Sequence, residues 1–528
     1  MGLRRAFEAL FKPEPPRRRR SYSGANLNRL TADWVATGTN ADSEIKSSLR
    51  PLRNRTRQLI RDNDYARQAI RSIVNNVVGI GVNFQSQVKL QRGNRIDQRI
   101  TEQIESAWHA WCKSPDASGQ LSFQDLERLA IRSVAESGEV IIRLLNRNFE
   151  GGTLPFSVQI LESDLLLDDY NAIAPNGNDI RLGVEKDVWG RPVAYYFLDG
   201  LRHPGDYLFS NGRTTSAKYL RIPAQDIIHL YVIERPGQSR GVPWLASSIE
   251  RLHHMAGFEQ SEVVAARASA SIMGFVSSPE GELYGDEHTE DERLTVFEPG
   301  IFKYLAPGEQ IQVPQLERSG NFEAFMRSMI RGVAAGIGCS YESVSGDYSQ
   351  SNYSSSRLSL LAERDSWRVL QNWLIRNFHE RLFVRWLDAA NLSGVLSLPG
   401  YETNKTRYQA AKWIPRSWAW VDPQKEIVAA KEAEKAGYIT KSQIIAENGG
   451  DLNELFLQRQ SEIELAKELE LVFDTDLLVS NNRDLMEYNM AADVNGDDNG
   501  DNGDNGNGTA PSSSPDNGDN GDNGDDGQ

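Results

Sequence analysis

PWLASSIERLHHMAGFEQSEVVAARASASIM, residues 243–273, is the stretch whose pattern decides the fold. Leu245, Ile249, Leu252, Ala256, Val263, Ala266, Ala270 and Met273 return at steps of three and four, so one apolar seam, interrupted only by Glu259, faces a partner along a single helix. Such a helix of about thirty residues is roughly 45 Å long. A Gly/Pro/acid segment follows. Three short alternating stretches, 294–297, 301–305 and 310–313, then read as strands joined through Glu298-Pro299-Gly300 and Ala306-Pro307-Gly308. So small a sheet buries little alone and needs neighbours. FEAFMRSMIRGVAAGIG, 322–338, returns to helical spacing, with Phe322, Phe325, Met326, Met329, Val333 and Ile337 on one face and Gly336 and Gly338 ending it. A polar loop rich in Ser, Tyr, Asn and Gly occupies 340–356, and a third helix carries Leu358, Leu361, Trp367, Leu370, Leu374, Phe378 and Leu382.

Upstream, helical spacing runs from Leu52 through Ile60, Ile70, Ile73 and Val77 and stops at Gly79 and Gly81. A strand at 82–88, a helix at 96–111, a helix at 122–137 and a strand at 138–143 come next. Short strands at 158–161, 183–186, 194–198 and 227–232, with a hairpin turn at WGRP (189–192), complete an α+β organisation. Downstream lies an aromatic cluster of Trp413, Trp418 and Trp420. Asp422 then reads as an N-cap with Pro423 at the first helical position, and the helix runs to Lys435 with Gly437 after it. Helices follow at 440–447 and 452–471, the second with the alternating charges of a solvated face.

With 39% hydrophobic residues among 528, the chain can build a large core or more than one domain. Its net charge of −15 is uneven: the ten Asp after Ala492 account for most of the excess, whereas Arg17 to Arg20, Arg50, Arg53, Arg55, Arg57 and Arg61 make the first sixty or so residues basic. Cys112 and Cys339 are too far apart in sequence to suggest a local motif, so neither a disulfide framework nor a zinc ribbon is expected. Leu3, Ala6, Phe7, Leu10 and Phe11 form a short amphipathic stretch without the core of a signal peptide, and no run is apolar enough to span a bilayer, so a soluble protein made inside a cell is expected. The tail tempts a calcium reading at Asp493, Asn495 and Asp497, but Asp498 stands where the loop needs Gly and no Glu closes it; disorder is expected.

No Gly-x-x-x-x-Gly-Lys-Ser/Thr stretch cradles a phosphate here, so the chain is not expected to be an ATPase. Neither a nucleophile elbow nor a His-Glu-x-x-His pair is read in it, and His253 and His254, adjacent on a helix, point about 100° apart and suit one metal poorly. Acidic pairs such as Glu162 with Asp164, or Asp168 with Asp169, read as caps and loop residues. No catalytic residue, metal site or cofactor is expected.

This order of elements, with its local wording, resembles the portal proteins of tailed bacteriophages, specifically the lambda-like family. The resemblance rests on RPGQSRGVPW (235–244), FEPG (297–300), PGE (307–309), GDY (346–348), NYSSSR (352–357), and WVDP (420–423) with Glu426, joined upstream by DYA (64–66) and VGIG (78–81). It implies an α+β, ring-forming portal fold. Its parts would be a flexible basic arm (1–49), an α/β wing (50–235), a first stem helix (236–278), a β clip (279–319) and a second stem helix (320–339). A tunnel loop (340–356), a long wing helix with its connection (357–400), a helical crown-side region (401–492) and the disordered tail (493–528) would follow. The implied assembly is a homo-oligomeric ring, usually a dodecamer, at one vertex of the virion capsid, made in the host cytoplasm. Double-stranded DNA would pass through it, and its partners would be the terminase large subunit, the major capsid and scaffolding proteins and a head-tail adaptor.

A conduit must not hold what passes: many Lys or Arg contacts to phosphate would trap a duplex, whereas a mixed or acidic wall lets it slide. Glu259, Glu262 and Arg267 on the first stem helix, and Arg327 and Arg331 on the second, supply that mixture. In the loop, Gly346, Asp347, Tyr348, Gln350, Asn352 and Tyr353 offer neutral hydrogen bonds and aromatic faces, with Arg357 at its end. By resemblance Glu298, Pro299, Gly300, Pro307, Gly308 and Glu309 would dock partners at the clip. Two other classes stay open on residues alone: a packaging-associated nuclease or protease with an unrecognised active site, and a monomeric structural adaptor.

Overall fold

The computed structural model describes residues 29, 33, 38–91, 95–149, 151–201, 203, 219–270, 275–277, 310–312, 321–349, 352–418, 422–469 and 471. They fall into two units, 1–450 and 451–528.

In the first unit α1 (Ala41–Asp62) and α2 (Asp64–Val77) are separate helices where one run is expected from the spacing. Asn63 divides them: its backbone N–H closes α1 onto Leu59 O and its side chain caps α2 at Ala66 N. Residues 41–49, expected within a flexible arm, instead belong to α1: Asn40 caps the helix and Ile45 and Leu49 are buried. Pro51 sits inside that helix without breaking it. Ala66, Ala69, Ile70, Ile73 and Val77 turn one face of α2 into the core. β1 (Asn83–Ser86), α3 (Gln98–Cys112) and α4 (Phe123–Ser137) follow. α4 opens on a Ser122/Asp125 capping box and closes on Gly138 at φ 88°.

β2 (Glu139–Leu145) is the middle strand of an antiparallel three-stranded sheet, paired with β3 (Ser157–Leu161) through Ile142 and Ile160, and with Ile227–Tyr231 through Ile142 and Ile228. A second antiparallel sheet runs β4 (Ala172–Ile173), β5 (Asp179–Arg181), β6 (Val184–Lys186), β7 (Pro192–Leu198), β8 (Tyr219–Pro223) in meander order. β9 is the Ile227–Tyr231 strand already placed beside β2.

The long helix expected from Pro243 is α5 (Ile249–Ala270), 22 residues, preceded by a 3-10 turn at Ala246–Ser248. At 1.5 Å per residue it is about 33 Å long. Leu245, Ile249, Leu252 and Met255 are buried, but farther along Val263 and Val264 are half exposed. β10 (Phe275–Ser277) pairs antiparallel with β11 (Gln310–Gln312). The expected strands at 294–297 and 301–305 and their turns lie outside the described residues. α6 (Phe322–Ile337) returns against α5, with Phe258 5.7 Å from Phe322 and 4.5 Å from Phe325 between ring centroids. The Arg251 guanidinium lies over Gly332, in the space a Cβ there would occupy.

α7 (Tyr341–Ser345) is a short helix inside the stretch expected to be loop, and α8 (Tyr353–Leu374) starts within it too. A π turn, Ile375–His379, joins α8 to α9 (Glu380–Leu392) as one rod. Its Phe378, Phe383 and Trp386 pack with Trp108, Trp111, Phe123 and Phe84 in the main core. β12 (Ala411–Ile414), which includes one tryptophan of the expected aromatic cluster, pairs with β1. α10 (Pro423–Lys435) has the expected Asp422 cap, and α11 (Lys441–Glu447) a Thr440/Gln443 capping box. In the second unit α12 (Leu452–Glu468) is capped by Asp451, which accepts from the N–H groups of Asn453 and Glu454.

Candidate functional site

α7 ends at Gly346 and α8 begins after Asn352, and each of these ends is fixed by a chemically legible device. Gly346, at φ 68°, stops α7, while Asn352 Oδ1 accepts from Ser355 N at 2.8 Å to start α8. Below the loop, Glu363 of α8 is buried and gathers Ser340 N at 3.1 Å, Ser340 Oγ at 3.0 Å and Ser343 Oγ at 2.9 Å. That carboxylate pins the cap of α7 to α8.

Asp347 ties the loop back to α6. Its carboxylate accepts from Tyr341 Oη at 2.9 Å and Ser349 N at 3.0 Å, and lies 3.6 Å from Arg327 Nη2. The Ser349 hydrogen bonds, then that of Tyr341, hold the Asp347 carboxyl down to about 2. Arg327 also reaches Glu323 at 2.6 Å, and Arg331, one turn on, lies over the Tyr341 ring at 5.5 Å. Thus Arg327, Arg331 and Asp347, expected as separate wall and loop residues, meet around Tyr341. Tyr348 is left 67% exposed beyond that anchor.

The remaining expected residues divide. Arg357 belongs to α8 rather than to a loop end, 3.7 Å from Glu426 of α10. Burial, with Asp64 nearby, pushes the Glu259 carboxyl above its ordinary value, and Arg267 is exposed. Glu262 is partly buried. Gln350 and the clip residues 298–300 and 307–309 lie outside the described residues, and Tyr353 is described only as the first residue of α8.

Contrary to the expectation of no nucleophile elbow, Gly237-Gln-Ser-Arg-Gly241 does carry the Gly-x-Ser-x-Gly spacing. The structure gives it a different role. Ser239 is 1% exposed and its Oγ donates to Asp42 at 2.6 Å, while its N–H donates to the same carboxylate at 2.7 Å. Arg240, also buried, binds Glu139 at 2.6 Å and donates to the carbonyls of Ser163 and Leu182. Arg53 at 2.5 Å and His229 at 3.0 Å complete the Glu139 centre. The RPGQSRG segment is therefore a staple joining α1, β2 and the second sheet. The acidic residues set aside as loop positions are likewise paired: Asp164 with Arg57, and Asp168 with Arg50. Glu162, Asp164 and His203 do place three ligand atoms within 4.8 Å, with Asp164 already held by Arg57.

A family model for phage portal proteins of the lambda family matches residues 27–371. A probable portal protein of Halomonas phage phiHAP-1 is 30% identical over 462 residues, covering 85% of this chain and 87% of its own. Portal protein B of Escherichia phage lambda is 22% identical over 484 residues, covering 83% and 88%. A solved chain from the neck of a native gene transfer agent particle matches at 14% identity and TM-score 0.43 over 75% of this chain and 93% of its own. The chain belongs to the lambda family of phage portal proteins. It is a portal subunit of the capsid vertex, with a mixed helix-and-sheet fold.

Proposed function

We propose that the subunit closes into a ring, dodecameric as is usual in the resemblance above, through whose bore double-stranded DNA enters and leaves the head. On this reading α5 and α6 are the stem, 346–352 is the tunnel loop, and the 279–319 segment is the clip that meets the terminase large subunit and then the head-tail adaptor. Capsid and scaffolding proteins surround the ring, and the polypeptide catalyses nothing itself. The observation that carries the reading is the loop: an exposed Tyr348 held beyond an Asp347–Tyr341–Arg327 anchor on the stem helix. Neutral and aromatic groups so presented touch a moving backbone without gripping it. The half-exposed Val263 and Val264 of α5 support packing against a neighbouring stem.

Native mass and negative-stain images of purified protein test the ring. Rings with a central hole are expected; a monomer at every concentration and salt would overturn the proposal. Tyr348→Ala is expected to keep the ring and impair packaging or genome retention, and loss of the ring in that variant would remove the loop assignment.

A further inference from the structure

A pocket of about 480 Å3 opens where the turn after α2, the middle of α4, the chain after β12 and the end of α11 meet. Arg128 and Arg416 line it together with Asn83, Ser417 and Asn448, and no described lining residue is an Asp or Glu. Gly79, at φ 62°, lets the Arg416 stem cross the turn, since a Cβ there would press on its Cδ. Arg416 donates through Nη1 to Asn75 O and, at 3.1 Å, to Asn76 Oδ1, both neutral. Burial lowers its guanidinium's affinity for its proton, with no carboxylate offsetting the loss. Arg128 is exposed, and among the described residues it has no ion-pair partner. Its neighbour Glu127 turns inward to His379. At the rim Ile80 is 88% exposed.

The larger pocket, about 620 Å3 beside α4 and β3, differs in this respect. Its arginines are satisfied, Arg57 by Asp164 and Arg132 by Glu136 at 3.5 Å.

We propose that the Arg128/Arg416 pocket is a docking site for an acidic segment of a separate protein, whose carboxylate engages the two guanidiniums while an adjacent apolar side chain covers Ile80. Guanidinium and carboxylate match as planar, forked hydrogen-bonding groups. The recess admits side chains, whereas a duplex presents its phosphates on a convex surface and offers nothing to an apolar rim. The Asp-Asn-Gly tail of this chain supplies carboxylates, but after Val494 it has no large apolar residue for Ile80.

The test is fluorescence anisotropy on the full-length protein with three labelled probes: a peptide of alternating Asp and Leu, a peptide with the sequence of residues 497–528, and a short DNA duplex. The Asp/Leu peptide is expected to bind best and to lose about tenfold or more in affinity in Arg128→Glu, with Arg128→Lys intermediate because an ammonium keeps the charge but not the fork. Arg128 is solvent-facing, so unchanged circular dichroism and ring assembly are expected in both variants. No peptide binding, or binding equal in wild type and Arg128→Glu, would overturn the proposal. So would tail-peptide or duplex binding that is the tighter and depends on Arg128, which would give the pocket to the chain itself or to DNA.

Discussion

Glu139 and Glu127 are both wholly buried and both contact a histidine, yet they behave oppositely. Glu139 faces Arg53, Arg240 and His229, and Gly241 N donates to it at 2.8 Å. Burial alone would raise its carboxyl, but Arg240, then Arg53 and His229, hold it well below the usual Glu range. Glu127 has His379 at 2.5 Å and the distant N–H of Val82, and among the described residues no arginine pairs with it; burial wins and its carboxyl is raised. Both acids have a histidine neighbour, so what sets the two sites apart is the pair of arginines beside Glu139.

The largest expected effect comes from breaking the better-paired site. Glu139→Gln leaves two buried arginines without their counter-charge, and removing one partner of a buried ionic cluster costs about 3–5 kcal/mol. Urea unfolding of the unassembled subunit reads this directly. The sign with pH follows from the depressed carboxyl: its stabilisation is present above the unfolded-state value, near 4.5, and is lost as pH falls through the folded one. The gap between wild type and variant should therefore close on acidification. A gap that persists unchanged below the folded-state value would mean that Glu139 acts through shape rather than charge.

Glu127→Gln should cost far less, about 1 kcal/mol, because an amide keeps one hydrogen bond to His379 and no buried cation is orphaned. Its pH dependence should be reversed. A raised carboxyl stabilises fully below the unfolded-state value of 4.5 and loses that contribution as pH rises through the folded one, so the gap should narrow toward neutrality. Parallel unfolding curves of the two variants from acid to neutral pH would sharpen the contrast. Curves that move in the same direction would break it.

Much of the frame was legible because burial repeats with helix and strand periods. Ile70, Ile73 and Val77 of α2 marked their helix, as did Met326 and Val333 of α6, and Ser122, Asp422 and Gly338 announced helix ends. The break at Asn63 was not, because asparagine both closes one helix and caps the next without the Gly or Pro that usually marks a stop. The 340–356 stretch read as loop because serine is common in loops, whereas Ser340 and Ser343 are satisfied by Glu363, 23 and 20 residues away. Partners that distant leave no local signal. The same holds for Arg53, Glu139, His229 and Arg240, and for Tyr341, whose place in the loop anchor only the fold reveals.

Asp347 extends the contrast into solvent and carries the smallest expected effect on stability. It resembles Glu139 in meeting an arginine and a hydrogen-bond donor from other elements, but it is only partly buried, and Arg327 keeps Glu323 at 2.6 Å when Asp347 is neutralised. Asp347→Asn should therefore leave the unfolding midpoint and the ring unchanged. Its carboxyl titrates at about 2, so wild type should show no change in loop anchoring between pH 4 and pH 8. What the substitution weakens is the charge-assisted hold of Tyr341 and Ser349 on the loop, so amide hydrogen exchange at 346–349 should quicken while α6 and α8 keep their protection. If the loop works on DNA from a fixed anchor, packaging should fall in step with that exchange. Faster exchange with undiminished packaging would separate the anchor from the function, and leave Tyr348 as the loop residue that matters.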